Sequence, residues 1–420
     1  MAVTSLLRAL VQDRLTFNHP ARSFRTVQAV SRRHRLPQEQ MNVEGSEMRE
    51  RAARICRDYL HGAWKTVTSK DIQLKRISGG LSNWLFHVAL PTDTRPKGSE
   101  PSQVLLRIYG QTHGERALEA LVTESVIFTL LSERRLGPKL HGIFPGGRIE
   151  EYIPARALKT REMADTKLSP LIAERMAQIH RMNVPISKEP RWLWDTMDRW
   201  TQSAEAILVE VEGAQPEVLS YINKIQKYNL GSEVKWLMSF LKKLQSPVVF
   251  CHNDMQEGNI LLYNHNLTDQ QALSTPRLVL IDFEYCSYNY RGFDLANHFI
   301  EWVYDYTYPT HPFFSVNYSH YPSPEQQLVF ARSYLKTFHQ KQPTTEEETV
   351  LLKEVQAFTL ASHLFWGLWA VVNAKLSQIP FGYWEYADAR LEAYFYSKSK
   401  LLNSAASDIG TKRKIGDLEE

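Results

Sequence analysis

Val248-Val249-Phe250-Cys251-His252-Asn253-Asp254-Met255-Gln256-Glu257-Gly258-Asn259-Ile260-Leu261-Leu262 decides how this chain is read. An apolar strand delivers His-Asn-Asp into a polar loop, and Asn259 follows Asp254 by five positions before a second apolar run begins. Phosphoryl-transfer loops use that spacing, with the Asp accepting the proton of the attacking hydroxyl and the Asn holding a Mg²⁺. Taken alone, Asp254 would be an ordinary turn residue after a strand. The partner segment is Leu278-Val279-Leu280-Ile281-Asp282-Phe283-Glu284, a second apolar strand that ends in a carboxylate. Two strand-to-carboxylate segments in this order point to phosphoryl transfer. Asp254 is then the general base, and Asn259 and Asp282 are hard oxygen ligands for Mg²⁺ shared with nucleotide phosphates.

At 420 residues, 43% of them apolar and 11% aromatic, the chain can bury a full core and is long enough for two or three domains. The net charge of +4 hides an asymmetry. Residues 1–38 carry Arg8, Arg14, Arg22, Arg25, Arg32, Arg33 and Arg35 against one acid, Asp13. Removing these from totals of 50 and 46 leaves 43 basic and 45 acidic residues. The body therefore lacks the electrostatic footprint of a nucleic-acid binder. The Arg-rich, acid-poor head with Leu6, Leu7, Leu10, Val11 and Leu15 has the composition of a mitochondrial transit peptide, and an unstructured extension is the competing reading. Cys56, Cys251 and Cys286 are odd in number and widely spaced, which supports neither a disulfide framework nor a metal cluster. A reducing compartment follows, and the expected location is cytoplasmic, with mitochondrial as the alternative should the head be a transit signal. The longest apolar stretch, Ala357 to Val372, reads as a buried helix and is too short for a bilayer span.

The order of elements predicts an α+β chain. Met48 to Trp64 is a helix, Ile72 to Leu90 two strands around Ser78-Gly79-Gly80-Leu81-Ser82-Asn83, and Val104 to Tyr109 a third strand. Glu115 to Arg134 is an amphipathic helix, and a hairpin of Leu140–Phe144 and Arg148–Tyr152 turns at Pro145-Gly146-Gly147. Beyond Pro154 the chain is helical apart from the two catalytic strands, with helices expected at 169–182, 197–210, 233–244, 325–340, 346–378 and 384–401. The division expected is a head at 1–45, a small sheet lobe with one helix at 46–153, a larger helical lobe at 154–403 and a tail at 404–420.

Paired glycines at Gly79 and Gly80 let backbone N–H groups approach phosphates, with Ser82 and Asn83 as further donors, although a plain hairpin needs the same glycines. Arg107 sits mid-strand where phosphotransferases carry a phosphate-positioning cation, and Glu124 falls on the following helix as its carboxylate partner. Trp366 and Trp369 share a helix face, as do Tyr383 and Tyr386, and Tyr285 and Tyr306 follow Asp282 with Glu301 among them. Aromatic stripes at helical spacing usually belong to a core. Beside a phosphoryl-transfer loop they also suit an ammonium ligand, because each ring face attracts a cation by about 0.5–2 kcal/mol.

Val249–Leu262, Leu280–Trp302, Val104–Gly110, Leu136–Pro154, Phe365–Trp369 and Phe381–Arg390 together resemble eukaryotic choline kinases of the choline/ethanolamine kinase family, from about residue 50 to about 400. The resemblance implies a protein-kinase-like two-lobe fold, a homodimer, and ATP·Mg²⁺-dependent phosphorylation of choline, the first step of the CDP-choline route to phosphatidylcholine. It assigns Asp254 as base, and Asn259 and Asp282 to Mg²⁺. It gives the nucleotide to Gly79, Gly80, Leu81, Ser82, Asn83 and Arg107, with Glu151 and Ile153 beside adenine and Gln256 near the phosphates. The choline pocket draws on Tyr285, Glu301, Tyr306, Trp366, Trp369, Tyr383 and Tyr386. Glu151 departs from the Gln that the animal enzymes tend to carry. Ethanolamine kinases usually lack the Gln256-Glu257-Gly258 insert, so choline is the expected primary substrate and ethanolamine a lesser one. The alternatives are an ethanolamine or aminoglycoside-like amine kinase, and a non-catalytic binding protein on the same fold.

Overall fold

The structure, a computed structural model, describes residues 38–77, 83–109, 115–210, 213, 215–263 and 276–416. The chain folds as two compact units. One is built from the segment ending at His113 together with Lys139–Tyr152, the other from Gly114–Pro138 and Ile153 onward.

The first unit is an antiparallel sheet of β1 (Gln73–Ile77), β2 (Asn83–Ala89), β3 (Gln103–Tyr109), β4 (Leu140–Phe144) and β5 (Gly147–Glu151), ordered β1-β2-β3-β5-β4. Val104, Leu106 and Ile108 recur every second residue on β3, so strand pleating sends all three to the buried side. They join Phe86, Val88, Ile149 and Trp64 in a core that α1 (Gln38–Tyr59) closes with Ala52, Ala53, Ile55 and Cys56. Helix α1 begins ten residues before the expected Met48, inside the span expected to be the head. At the β4–β5 turn, a Cβ on Gly147 would lie 2.2 Å from the Arg107 carbonyl oxygen, so only glycine lets β5 approach β3 there.

The second unit contains α2 (Glu115–Glu133), α3 (Leu168–His180), α4 (Arg191–Val209), α5 (Pro216–Ile225), α6 (Leu230–Lys242), α7 (Arg291–Glu301), α8 (Pro324–His339), α9 (Thr345–Leu376) and α10 (Tyr383–Gly416). Capping boxes at Ser323/Gln326 and Thr344/Glu347 set the starts of α8 and α9. Helix α9 is apolar because it runs through the middle of this unit, with residues 357–368 buried without a break.

The architecture departs from the expected division in places. Residues 114–138, with helix α2, group with the helical unit rather than with the sheet, and Phe128 of α2 meets Phe283 edge-on at 6.2 Å. Helix α4 starts at Arg191, and α10 continues past residue 403 to Gly416. Helices α5 and α7 were not expected. Every residue of α7 is buried, including Arg291, Asp294, Asn297, His298 and Glu301, although Phe293, Ala296, Phe299 and Ile300 recur at helical spacing along one face.

Candidate active site

Short strand pairs bring the two carboxylate segments together. Strand β7 (Val248–Cys251) pairs antiparallel with β10 (Ser287–Tyr290), while β8 (Ile260–Tyr263) lies between β6 (Ala155–Ala157) and β9 (Leu278–Leu280). The loop 252–259 joins β7 to β8, and residues 281–286 join β9 to β10. Both loops are therefore hinged on the same two ladders and must run side by side. Ile260 faces Leu280 in register, and the Ile281 amide donates to the Asn259 carbonyl at 3.0 Å. That register puts Asn259 and Asp282 at neighbouring strand ends. Asn259 Nδ2 in turn donates to Asp254 Oδ2 (2.9 Å) and to the Asp254 carbonyl (2.8 Å). Asp254, Asn259 and Asp282 thus sit together.

Two residues of these loops adopt left-handed backbone, Asn253 at φ +69° and Asp282 at φ +63°. Asn and Asp tolerate that region better than other residues with a Cβ, and the surroundings hold both in it. Asp294, in the first turn of α7, accepts the His252 amide at Oδ2 (2.9 Å) and the Asn253 amide at Oδ1 (2.8 Å). Behind it, His180 at the end of α3 bridges Asp294 Oδ2 (2.9 Å) and the Tyr334 hydroxyl (2.7 Å). Asn253 Nδ2 donates to the Tyr285 carbonyl and the Ser287 hydroxyl, both at 2.9 Å, and Asn289 Nδ2 donates to Asn253 Oδ1 at 2.8 Å. His252 bonds the Ile281 carbonyl at 3.0 Å, and His298 the Met255 carbonyl at 2.9 Å. Gln256 Oε1 accepts the Gly258 amide at 2.7 Å, so this side chain shapes its own loop.

The electrostatics separate two kinds of aspartate. Burial would raise the pKa of Asp294, but the bond and charge of His180 and the His252 amide outweigh it and hold the group below the usual carboxylate range. Asp254 goes the other way. Desolvation, then the charges of Glu301, Asp282 and Glu284, push it well above its ordinary value, opposed by the Asn259 bond. Such a knot of carboxylates is relieved by a divalent cation. Asp282, Asn259 and Asp254 offer the hard oxygen atoms that Mg²⁺ takes, so the residues present fit the metal. His180, Cys251 and Asp294 also place ligand atoms within 4.8 Å of one another. They form a structural support instead: His180 and Asp294 bond each other, and burial followed by the Asp294 charge raises the Cys251 thiol well above its usual pKa.

The aromatic residues singled out by spacing form one contiguous cluster in the helical unit. Tyr285 meets Trp366 at 5.8 Å between ring centroids, Trp366 meets Trp369 at 5.6 Å, and Trp369 meets Tyr383 at 5.7 Å and Tyr386 at 6.2 Å. The Tyr306 hydroxyl bonds Glu301 Oε2 and the Tyr386 hydroxyl, each at 2.8 Å. Trp192 of α4, which spacing did not reveal, packs edge-on to Tyr285 at 6.2 Å. Glu301 is ion-paired: Arg390 Nη2 donates to its Oε1 at 2.5 Å, and Arg390 is fully buried. Arg390 also lies over the Tyr304 ring at 4.0 Å and bonds Tyr386 at 2.9 Å. Trp366 is fixed by its indole N–H to Asn297 Oδ1 at 2.7 Å.

In the sheet unit, Arg107 pairs with Glu150 on β5. Arg107 Nε and Arg148 Nε both donate to Glu150 Oε1 at 2.7 Å. Burial raises the pKa of Glu150, but the two guanidiniums prevail and keep it below the carboxylate range. Glu124 is half-buried on α2 of the other unit. Glu151 ends β5 and accepts the Lys139 amide at 3.0 Å, and Ile153, buried, opens the helical unit. Gly79, Gly80, Leu81 and Ser82 lie outside the described residues, and Asn83 starts β2.

A small antiparallel sheet unit, a helical unit and an Asp-Asn-Asp site on two hinged loops define a kinase-like phosphotransferase. The family model for choline/ethanolamine kinase matches residues 74–395. A rat protein named choline/ethanolamine kinase is 46% identical over 360 residues, covering 84% of this chain and 88% of the relative. Mouse choline kinase alpha is 47% identical over 378 residues, covering 84% and 81%. The solved choline kinase of Cryptosporidium parvum superposes with a TM-score of 0.66 at 29% identity, covering 85% of this chain and 97% of that one. This chain belongs to the choline/ethanolamine kinase family and is an ATP-dependent kinase that phosphorylates an alcohol.

Proposed function

We propose that this chain transfers the γ-phosphate of ATP to the hydroxyl of choline, giving phosphocholine, with ethanolamine as a lesser substrate. The observation that carries this reading is the aromatic cluster of Tyr285, Trp366, Trp369, Tyr383 and Tyr386 in the same unit as Asp254. A trimethylammonium group is large and weakly hydrated, and ring faces stabilise it where a single carboxylate cannot enclose it. Glu301 contributes a carboxylate shared with Arg390, so ring faces rather than a free anion set the preference, which favours choline over the primary ammonium of ethanolamine.

Asp254 accepts the hydroxyl proton and aims the oxygen at the phosphorus. Asn259 and Asp282 hold Mg²⁺, which when bound spreads the charge of the nucleotide phosphates. Glu301, Tyr306 and Arg390 fix the cluster's floor through their mutual bonds. Arg107, braced by Glu150, serves the nucleotide phosphates. Three buried free cysteines suit a reducing cytoplasmic setting, and a homodimer is the assembly proposed.

Purified full-length protein with ATP and Mg²⁺ should make phosphocholine, and with both alcohols in one assay choline should be consumed first. Exclusive use of ethanolamine would overturn the substrate assignment. Asp254→Ala should lower kcat by about 10²–10⁴-fold. Normal turnover by that variant would remove Asp254 as the base.

A further inference from the structure

A cavity of about 560 Å³ in the helical unit is lined by Arg134, Arg135, Arg175, Gln178, Arg181 and Arg277, with Leu136 as its apolar contribution. Among the described residues, no carboxylate lines it. Among the described residues, none of the five guanidiniums makes an ion pair with Asp or Glu. Arg175 bonds Gln178 at 2.9 Å, Arg181 reaches the Thr337 carbonyl at 3.4 Å, and Arg277 stacks on Tyr263 at 4.4 Å. An adjoining cavity of about 490 Å³ shares Gln178 and Arg181 and adds Lys336 and Lys341.

Overall charge does not account for this concentration, because the chain beyond residue 38 carries a slight acidic excess. Five like charges around one concavity repel one another, and protein surfaces ordinarily intersperse acids among them. One member is also held against its backbone preference. Arg135 adopts φ +57° just past the end of α2, the position where helices favour Gly or Asn. The neighbouring turn is closed by the Arg134 amide on the Leu130 carbonyl and the Leu136 amide on the Leu131 carbonyl, so the arginine is held at the cavity by a fixed frame.

We propose that this cavity is a second anion site that takes a compact, multiply phosphorylated group. Guanidinium forks match phosphate oxygens in pairs, and a volume near 560 Å³ suits a tripolyphosphate or a bisphosphorylated headgroup rather than an extended acidic chain. The same chemistry is carried by soluble polyphosphates and by phosphoinositide headgroups in a bilayer. None of the lining residues belongs to the Asp254 site.

The test uses the full chain, inorganic tripolyphosphate by calorimetry, and flotation with phosphatidylcholine vesicles, plain or doped with phosphatidylinositol bisphosphate. The comparison is the double variant Arg135→Gly, Arg277→Gln. Glycine suits the left-handed backbone and Arg277 is exposed, so the variant keeps its fold, which unchanged KM values for ATP and choline verify. Binding of either probe by the wild type, weakened at least about tenfold in the variant and by added salt, supports the site. Tripolyphosphate binding assigns a soluble ligand, and binding of doped but not plain vesicles assigns a lipid headgroup. Equal binding by both proteins would place the anion in the nucleotide site and overturn the proposal. So would binding of neither probe, or equally tight capture of polyglutamate.

Discussion

Asp294 is a positioning residue whose effect is large because one carboxylate meets several needs. It takes two backbone amides of the 252–259 loop and the imidazole of His180, and it holds Asn253 left-handed one residue before Asp254. Asp294→Asn keeps the size but replaces charge-assisted bonds with neutral ones and cannot accept all three donors. Urea unfolding should show a loss of about 3 kcal/mol, and kcat should fall while KM for choline changes little. A variant that kept its kcat would detach this anchor from catalysis. Trp369 tests a different kind of residue. Trp369→Ala removes the ring shared by Trp366, Tyr383 and Tyr386, and should raise KM for choline roughly tenfold with a smaller effect on kcat. Asp254, Asn259 and Asp282 were legible because each pattern fits within a few consecutive residues. Asp294 and Arg390 were not, because their partners lie 42 and 89 residues away along the chain, and sequence spacing carries no sign of such pairings.

Among the elements, the turn after α2 shows how tightly packing reaches the residues proposed to hold Mg²⁺. A Cβ on Gly137 would come within 2.8 Å of the Phe283 ring, which follows Asp282 directly and packs on Phe128 and His252. Gly137→Ala must displace that ring. It should cost about 1–3 kcal/mol in thermal or urea unfolding and lower kcat by moving Asp282. Unaltered kcat and stability would show that Phe283 yields freely. The same contacts explain why α2 belongs with the helical unit although its order in the chain suggests the sheet. Helix α7 was missed, while α9 was expected over 346–378 and lies at Thr345–Leu376. Polar residues interrupt α7 throughout, so its short stripe of Phe293, Ala296, Phe299 and Ile300 stands in no apolar run, whereas α9 announces itself by composition.

For the molecule as a whole, buried histidines set the response to acid. His298 gives its Nδ1 proton to the Met255 carbonyl and accepts the Trp302 indole N–H, and burial pushes its pKa down to about 4 against 6.5 in the unfolded chain. Burial, then the Arg390 charge, drives His363 well below its ordinary value too. Between those limits the unfolded state binds protons that the native state refuses, so stability falls as pH drops from about 6.5 toward 4. His298 alone accounts for about 3 kcal/mol over that window. Denaturant midpoints measured across this range should decline with acid, and His298→Gln should flatten the curve. A flat wild-type profile would show that these imidazoles are charged in the fold.

Cys56 is closed inside the sheet unit, while Cys251 and Cys286 lie behind the catalytic loops of the other. Burial raises all three thiols above their usual pKa, so an alkylating reagent meets neither access nor thiolate while the fold is intact. The protein thus carries built-in reporters of opening. The labelling rate at Cys56 times exposure of one unit, and the rates at the other two time exposure of its neighbour, without any engineered probe.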